Sequence, residues 1–69
     1  MLIMKIKLLY DRGEKIIEVD KDVKVRDILE RAGINTETVI VKKDGNIVTE
    51  EEELKTGDII EAVRIISGG

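Results

Sequence analysis

Cysteine, histidine, phenylalanine, tryptophan and proline are all missing from this 69-residue chain, and Tyr10 is its one aromatic side chain. Each absence closes a route. Without cysteine there is no disulfide framework, no thiolate nucleophile and no Cys-ligated zinc site, so a chain this short must stand on its hydrophobic core. Without histidine the commonest general base and metal ligand is gone. A lone tyrosine makes no platform for stacked bases, and a net charge of -3 offers phosphates no basic field, so nucleic-acid binding is not expected. No apolar run approaches the roughly 20 residues that span a bilayer. The start, Met1-Leu2-Ile3-Met4, meets Lys5 too soon for the apolar segment of a signal peptide. The expectation is a cytoplasmic protein without membrane contact.

What is present is aliphatic and charged: 42% hydrophobic and 39% charged residues. A domain of this size buries only about 60% of its unfolded surface, so its core must be dense in large side chains. Twelve Ile, seven Val and five Leu supply them. Leu2, Met4, Ile6, Leu8 and Tyr10 alternate with Lys5 and Lys7, which predicts a half-buried strand. Asp11-Arg12-Gly13-Glu14 reads as a turn into a second strand, Lys15 to Val19, with Ile17 and Val19 on one face. From Val25 the period changes: Val25, Ile28, Leu29 and Ala32 form one stripe of a two-turn helix, and Gly33-Ile34 is placed to end it in a Schellman motif. Lys24 is a poor cap, although Asp27 suits the first turn. Val39 to Lys43 and Ile47-Val48 form a second hairpin around Asp44-Gly45-Asn46, and Ile59 to Ile66 reads as a long central strand after the Lys55-Thr56-Gly57-Asp58 turn. Residues 1–66 make a single domain and 67–69 a tail.

The terminal Gly68-Gly69 needs an explanation. Two such glycines arise by chance in roughly 0.5% of chains at ordinary glycine usage, and a loose end is the plain alternative. A ββαββ order whose last strand runs into Gly-Gly resembles the β-grasp, ubiquitin-like family, and within it the small sulfur carriers of the ThiS and MoaD type. The residues that carry the resemblance are Val25-Arg26-Asp27-Ile28-Leu29 with Gly33-Ile34, the stretch Leu54-Lys55-Thr56-Gly57-Asp58-Ile59-Ile60-Glu61, and Gly68-Gly69. The fold implied is α+β: a mixed sheet of four to five strands with one helix packed on one face.

The resemblance further implies a carrier, not an enzyme. An ATP-dependent activating enzyme would adenylate the carboxylate of Gly69, and a sulfurtransferase or persulfide donor would convert it to a thiocarboxylate. The sulfur would pass to a downstream synthase for thiamine-type biosynthesis or tRNA thiolation, or the acyl group to lysines of target proteins. The chain itself would bind no cofactor. Glycine suits this chemistry, because residues without Cβ thread a narrow channel and leave the carboxyl carbon open to attack. Recognition should come from the sheet face away from the helix. If Ile60, Ala62 and Ile66 face the helix, Val63 and Ile65 face outward, joined by Val39 or Val41 in an apolar patch. The alternative is that Val63 and Ile65 belong to a two-sided core. Arg64 either pairs with an acidic rim on the partner or is solvated, and Ser67 joins the same partner-binding set.

Other charged groups point elsewhere. Glu50-Glu51-Glu52-Glu53 reads as a solvated acidic turn, since four consecutive carboxylates cannot all face one ion, and Asp20 and Asp22 lack the later ligands of an EF-hand, so no metal site is expected. Members of the molybdopterin type often carry prolines before the Gly pair, where this chain has Ile65-Ile66-Ser67. A molybdopterin synthase small subunit and a non-catalytic β-grasp interaction module are the competing readings.

Overall fold

In the computed structural model, which describes residues 3–20 and 22–65, β1 (Met4–Tyr10) turns directly back into β2 (Gly13–Val19). The turn is tighter than the sequence suggests. The ladder already pairs Tyr10 with Gly13, leaving Asp11 and Arg12 at the tip with φ of 52° and 65°. That is the geometry of a type I′ hairpin, built without glycine at either central position. The parity is as read: Ile6, Leu8 and Val19 are buried, whereas Leu2 lies outside the described residues.

The helix α1 (Val25–Arg31) buries Val25, Ile28 and Leu29. It ends as its Gly33-Ile34 signal predicts. Gly33 has φ +76°, its N–H donates to the Glu30 carbonyl at 3.1 Å, and the Ile34 N–H donates to the Leu29 carbonyl at 2.8 Å, which is the paired bonding of a Schellman ending. The other end is satisfied from a distance. Lys24 has no side-chain acceptor, so the Val25 and Arg26 N–H groups donate instead to the carbonyls of Glu52 (2.9 Å) and Glu50 (3.0 Å), and Asp27 Oδ2 accepts from the Lys24 N–H at 2.9 Å.

A 3-10 turn (Thr36–Thr38) leads to β3 (Val39–Lys43), a type I′ turn at Asp44 and Gly45, and β4 (Asn46–Val48). The last strand, β5 (Ile59–Arg64), completes a five-stranded sheet of order β2-β1-β5-β3-β4, antiparallel throughout except where β5 runs parallel to β1. The Lys55–Asp58 turn sets that register. Gly57 N–H donates to the Lys5 carbonyl (2.9 Å), Lys7 N–H to the Asp58 carbonyl (3.0 Å), and Asp58 Oδ2 accepts from Lys55 N–H (2.7 Å). The strand ends two residues short of the expected Ile66, which, like the 67–69 tail, lies outside the described residues.

The core fills the space between α1 and one sheet face. It comprises Ile6, Leu8, Val19, Val23, Val25, Ile28, Leu29, Ile34, Val39, Val41, Leu54, Ile60 and Ala62, and among the described residues it includes no polar side chain. Each fully buried Ile or Leu contributes about 1.5–3 kcal/mol.

Two positive-φ positions should respond oppositely to substitution. Gly33→Ala places a Cβ where no atom lies within 4 Å, so backbone strain alone should cost about 1 kcal/mol. Arg12→Gly relieves similar strain, offset in part by the entropy of glycine, and should stabilise by a few tenths to about 1 kcal/mol. Urea denaturation measures both, and destabilisation by Arg12→Gly would contradict the type I′ turn.

Candidate functional site at the end of the central strand

β5 sits in the middle of the sheet, and alternation divides its side chains between two environments. Ile60 and Ala62 are buried under the helix, whereas Val63 and Ile65 are 40% and 48% exposed on the open face. Both therefore lie outside the core. Their neighbour differs from the expected one. Val39 and Val41 are 7% and 5% exposed, so they belong to the core, and Ile40 at 39% is the outward residue. It lies directly across from Val63 in the β3–β5 ladder. The reason is register: Val41 pairs with Ala62 and shares its inward face, which turns Ile40 and Lys42 outward.

The three aliphatics form the apolar end of an otherwise mixed face. Below them Glu61 lies between Leu9 and Lys42 on neighbouring strands, and Lys7 lies between Ile16 and Ile59. Lys7 also meets Glu14 at 3.5 Å. Open-face charges of both signs are thus interleaved with exposed aliphatics, among them Ile16, Ile47 and Ile59, and Val63, Ile65 and Ile40 are the ones next to the point where the chain leaves β5.

Arg64 has a partner within the chain. On the helix-side face, its Nη2 donates to the Tyr10 hydroxyl at 2.9 Å, and its guanidinium carbon lies 5.7 Å from the ring centroid. The hydrogen bond to Tyr10 raises its pKa above the ordinary arginine value, with the Asp11 carboxylate adding to the effect. On the opposite side of the strand, Ile65 N–H donates to the Thr38 carbonyl at 2.8 Å. Neither contact had a signal in local sequence spacing. Ser67, Gly68 and Gly69 lie outside the described residues.

The acidic run is exposed for the most part, yet it is engaged with the fold. Glu51 meets Lys24 (3.2 Å) and Arg26 (2.9 Å), and Glu52 meets Lys43 (2.8 Å), whose amine is raised in pKa by that hydrogen bond. Among the described residues no three carboxylates converge on a point that could hold an ion. No helix among them is long and apolar enough to cross a membrane.

With the order β2-β1-β5-β3-β4 and one helix on one face, the architecture is a ubiquitin-like β-grasp. The model of the ThiS family matches residues 5–69. The chain belongs to the ThiS family. This ThiS-family chain is 42% identical over 67 residues to an uncharacterised protein of Archaeoglobus fulgidus, which covers 96% of this chain and 97% of that one. It is 36% identical over 55 residues to the sulfur carrier protein TtuB of Thermus thermophilus, covering 80% and 85% of the two chains. Among solved structures, a candidate subunit 1 of a molybdopterin converting factor from Pyrococcus furiosus superposes with TM-score 0.75 at 22% identity, over 91% of this chain and 99% of that one. At that identity the likeness speaks for the fold. The Gly57-Asp58 pair has a visible task here, which is to start β5 in register beside β1.

Adjacent positions on β3 provide the test of which face is open. Val41→Ala should cost about 2 kcal/mol through lost burial and a cavity, whereas Ile40→Ala should cost no more than about 1 kcal/mol. Denaturant midpoints report both, and equal losses would mean that the open face is covered.

Proposed function

We propose that this chain is a ubiquitin-like sulfur carrier, a substrate of an ATP-dependent activating enzyme and not itself an enzyme. The observation that carries the reading is the ThiS-family match, which runs through Gly69, together with the similarity to a sulfur carrier protein. In the proposed cycle a carboxylate oxygen of Gly69 attacks the α-phosphorus of ATP, and pyrophosphate leaves. A persulfide sulfur of the sulfurtransferase or persulfide donor then attacks the acyl carbon and AMP leaves; a second thiol on the partner cleaves the resulting acyl disulfide, forming a disulfide there and releasing the thiocarboxylate. ATP is consumed in the partner's site, and this chain holds no cofactor. The thiocarboxylate donates its sulfur to a downstream synthase in thiamine-type biosynthesis or tRNA thiolation. Transfer of the same activated acyl group to a lysine would make the chain a protein modifier. Such a cycle belongs in the cytoplasm.

The surface fits a partner that must both dock and reach. Residues 66–69 span at most about 14 Å when extended, so whatever acts on Gly69 has to engage the surface close to Ile65. Val63, Ile65 and Ile40 are the apolar groups available there. With no cysteine in the chain, no internal thiol competes for the acyl adenylate. Gly68 and Gly69 keep the reacting carbon free of side-chain crowding.

Intact-mass measurement of the protein after incubation with ATP, an adenylating enzyme from its own genome and a sulfur donor tests the proposal. The expected product is heavier by the difference between sulfur and oxygen, and deletion of Gly69 should abolish the shift without lowering the unfolding midpoint. An interaction module would show no shift with any such enzyme, and a modifier would show adducts at lysine.

A further inference from the structure

We propose that the open face of the sheet pairs with the open face of a second copy of this chain, forming a weak, reversible twofold dimer. The inference does not depend on the function proposed above. That function uses Val63, Ile65 and Ile40, and it leaves Ile16, Ile47 and Ile59 exposed on the same face without a role. Scattered aliphatics are ordinary on a protein surface, so their exposure does not by itself name an occupant. Charge and shape do.

Lys5, Lys7 and Lys42 face outward with Glu14, Glu18 and Glu61, so the face is neutral although the chain carries a net charge of -3. A second copy meets no net repulsion there. The ladders fix where each charge lies. One row across the sheet holds Glu14, Leu9, Glu61, Lys42 and Ile47 on β2, β1, β5, β3 and β4, and the row beside it holds Ile16, Lys7 and Ile59 on β2, β1 and β5. Sheets stack face to face with their strands nearly aligned. A twofold axis parallel to the strands and between β1 and β5 therefore lays β2 of each copy over β3 of the other. Each Glu14 then faces Lys42 of the second copy, which makes two opposite-charge contacts per dimer. An axis moved onto β1 or β5 would set Lys7 or Glu61 over itself.

The same axis seats Ile16. A shallow hollow of about 270 Å³ lies on the open face beside the β3–β4 turn, lined by Leu9, Lys42, Asp44, Gly45, Ile59 and Glu61. It occupies the Ile59 row on the β3 side, where this axis delivers Ile16 of the second copy. Ile16 is 58% exposed on the outer strand, so it is free to enter. Knob and hollow belong to the same chain, as a twofold contact requires. Five strands about 4.8 Å apart and about 20 Å long offer about 400–600 Å² per copy. The total, about 800–1,200 Å², is at or below what a stable complex buries, which places Kd at about 0.1–1 mM.

Sedimentation equilibrium of the full chain up to about 2 mM should detect this dimer. Glu14→Lys and Lys42→Glu, both at exposed positions, should each weaken self-association by about tenfold or more. An equimolar mixture of the two variants should return it to within about threefold of wild type, because the mixed dimer pairs opposite charges at both contacts. Ile16→Ala should weaken it about fivefold, and raising the concentration of the wild-type chain should shift the amide resonances of Leu9, Ile16 and Ile59 and leave those of α1 unmoved. A monomer at about 2 mM, a mixture that associates no better than its components, wild-type association in Ile16→Ala, or shifts centred on α1 overturns the proposal.

Discussion

Adjacent strands that run the same way cannot be joined by a hairpin, so the parallel pairing of β1 with β5 commits everything between Tyr10 and Ile59 to a crossover. The helix is the part of that crossover that covers the sheet, and it does so on one face. The other face remains open because, among the described residues, no second crossover covers it. β5 is thereby paired on both edges, apolar beneath, and free above, and it is also the strand from which the chain leaves. Position of the tail, position of the open face and position of the core all follow from one pairing.

The helix depends on this arrangement more than the arrangement depends on the helix. At seven residues α1 is far below the length at which a helix is stable in water, so it exists through packing and through satisfaction of its ends. Its C-terminus is closed locally by Gly33 and Ile34. Its N-terminus is closed by the carbonyls of Glu50 and Glu52, which are far away in sequence and brought in by the Leu54 N–H bond to the Val23 carbonyl at 3.0 Å. The ion pairs of Glu51 and Glu52 are exposed and contribute little individually. The backbone bonds are the larger part, because an orphan donor under a core would cost about 1–3 kcal/mol.

Local features of this fold were legible in the sequence, and non-local ones were not. The alternation of Met4 to Tyr10, the Val25-Ile28-Leu29 stripe and the Gly33-Ile34 ending each need only neighbouring residues, and each took the form expected. The hairpin turn at Asp11-Arg12 came out shorter, since arginine at positive φ carries no sequence signal where glycine would. In Val39-Ile40-Val41 all residues are aliphatic, so hydrophobicity cannot say which face is which. Only the pairing of Val41 with Ala62 decides it. For the same reason the site was half visible: Val63 and Ile65 follow from parity along their own strand, whereas Ile40 and the Tyr10–Arg64 contact, fifty-four residues apart, require the assembled sheet.

The same pairing bears on how, under the proposed function, a protein with so little side-chain chemistry would deliver its own end to a partner. Every residue that a partner must order on binding costs it about 1–2 kcal/mol of backbone entropy. Arg64 is already ordered by its pairing with Val39, and Ile65 by its N–H bond to the Thr38 carbonyl, so for them that cost is met in folding, and about 2–4 kcal/mol of the docking energy is left for other uses. Burying the exposed remainder of Val63, Ile65 and Ile40 would return only about 1 kcal/mol each, a similar amount. A patch this small is therefore sufficient only when the strand end beside it is rigid. Under the proposed function the residues below it, Lys7, Lys42 and Glu61, would set which partner fits, because interleaved charges discriminate between surfaces better than they bind them.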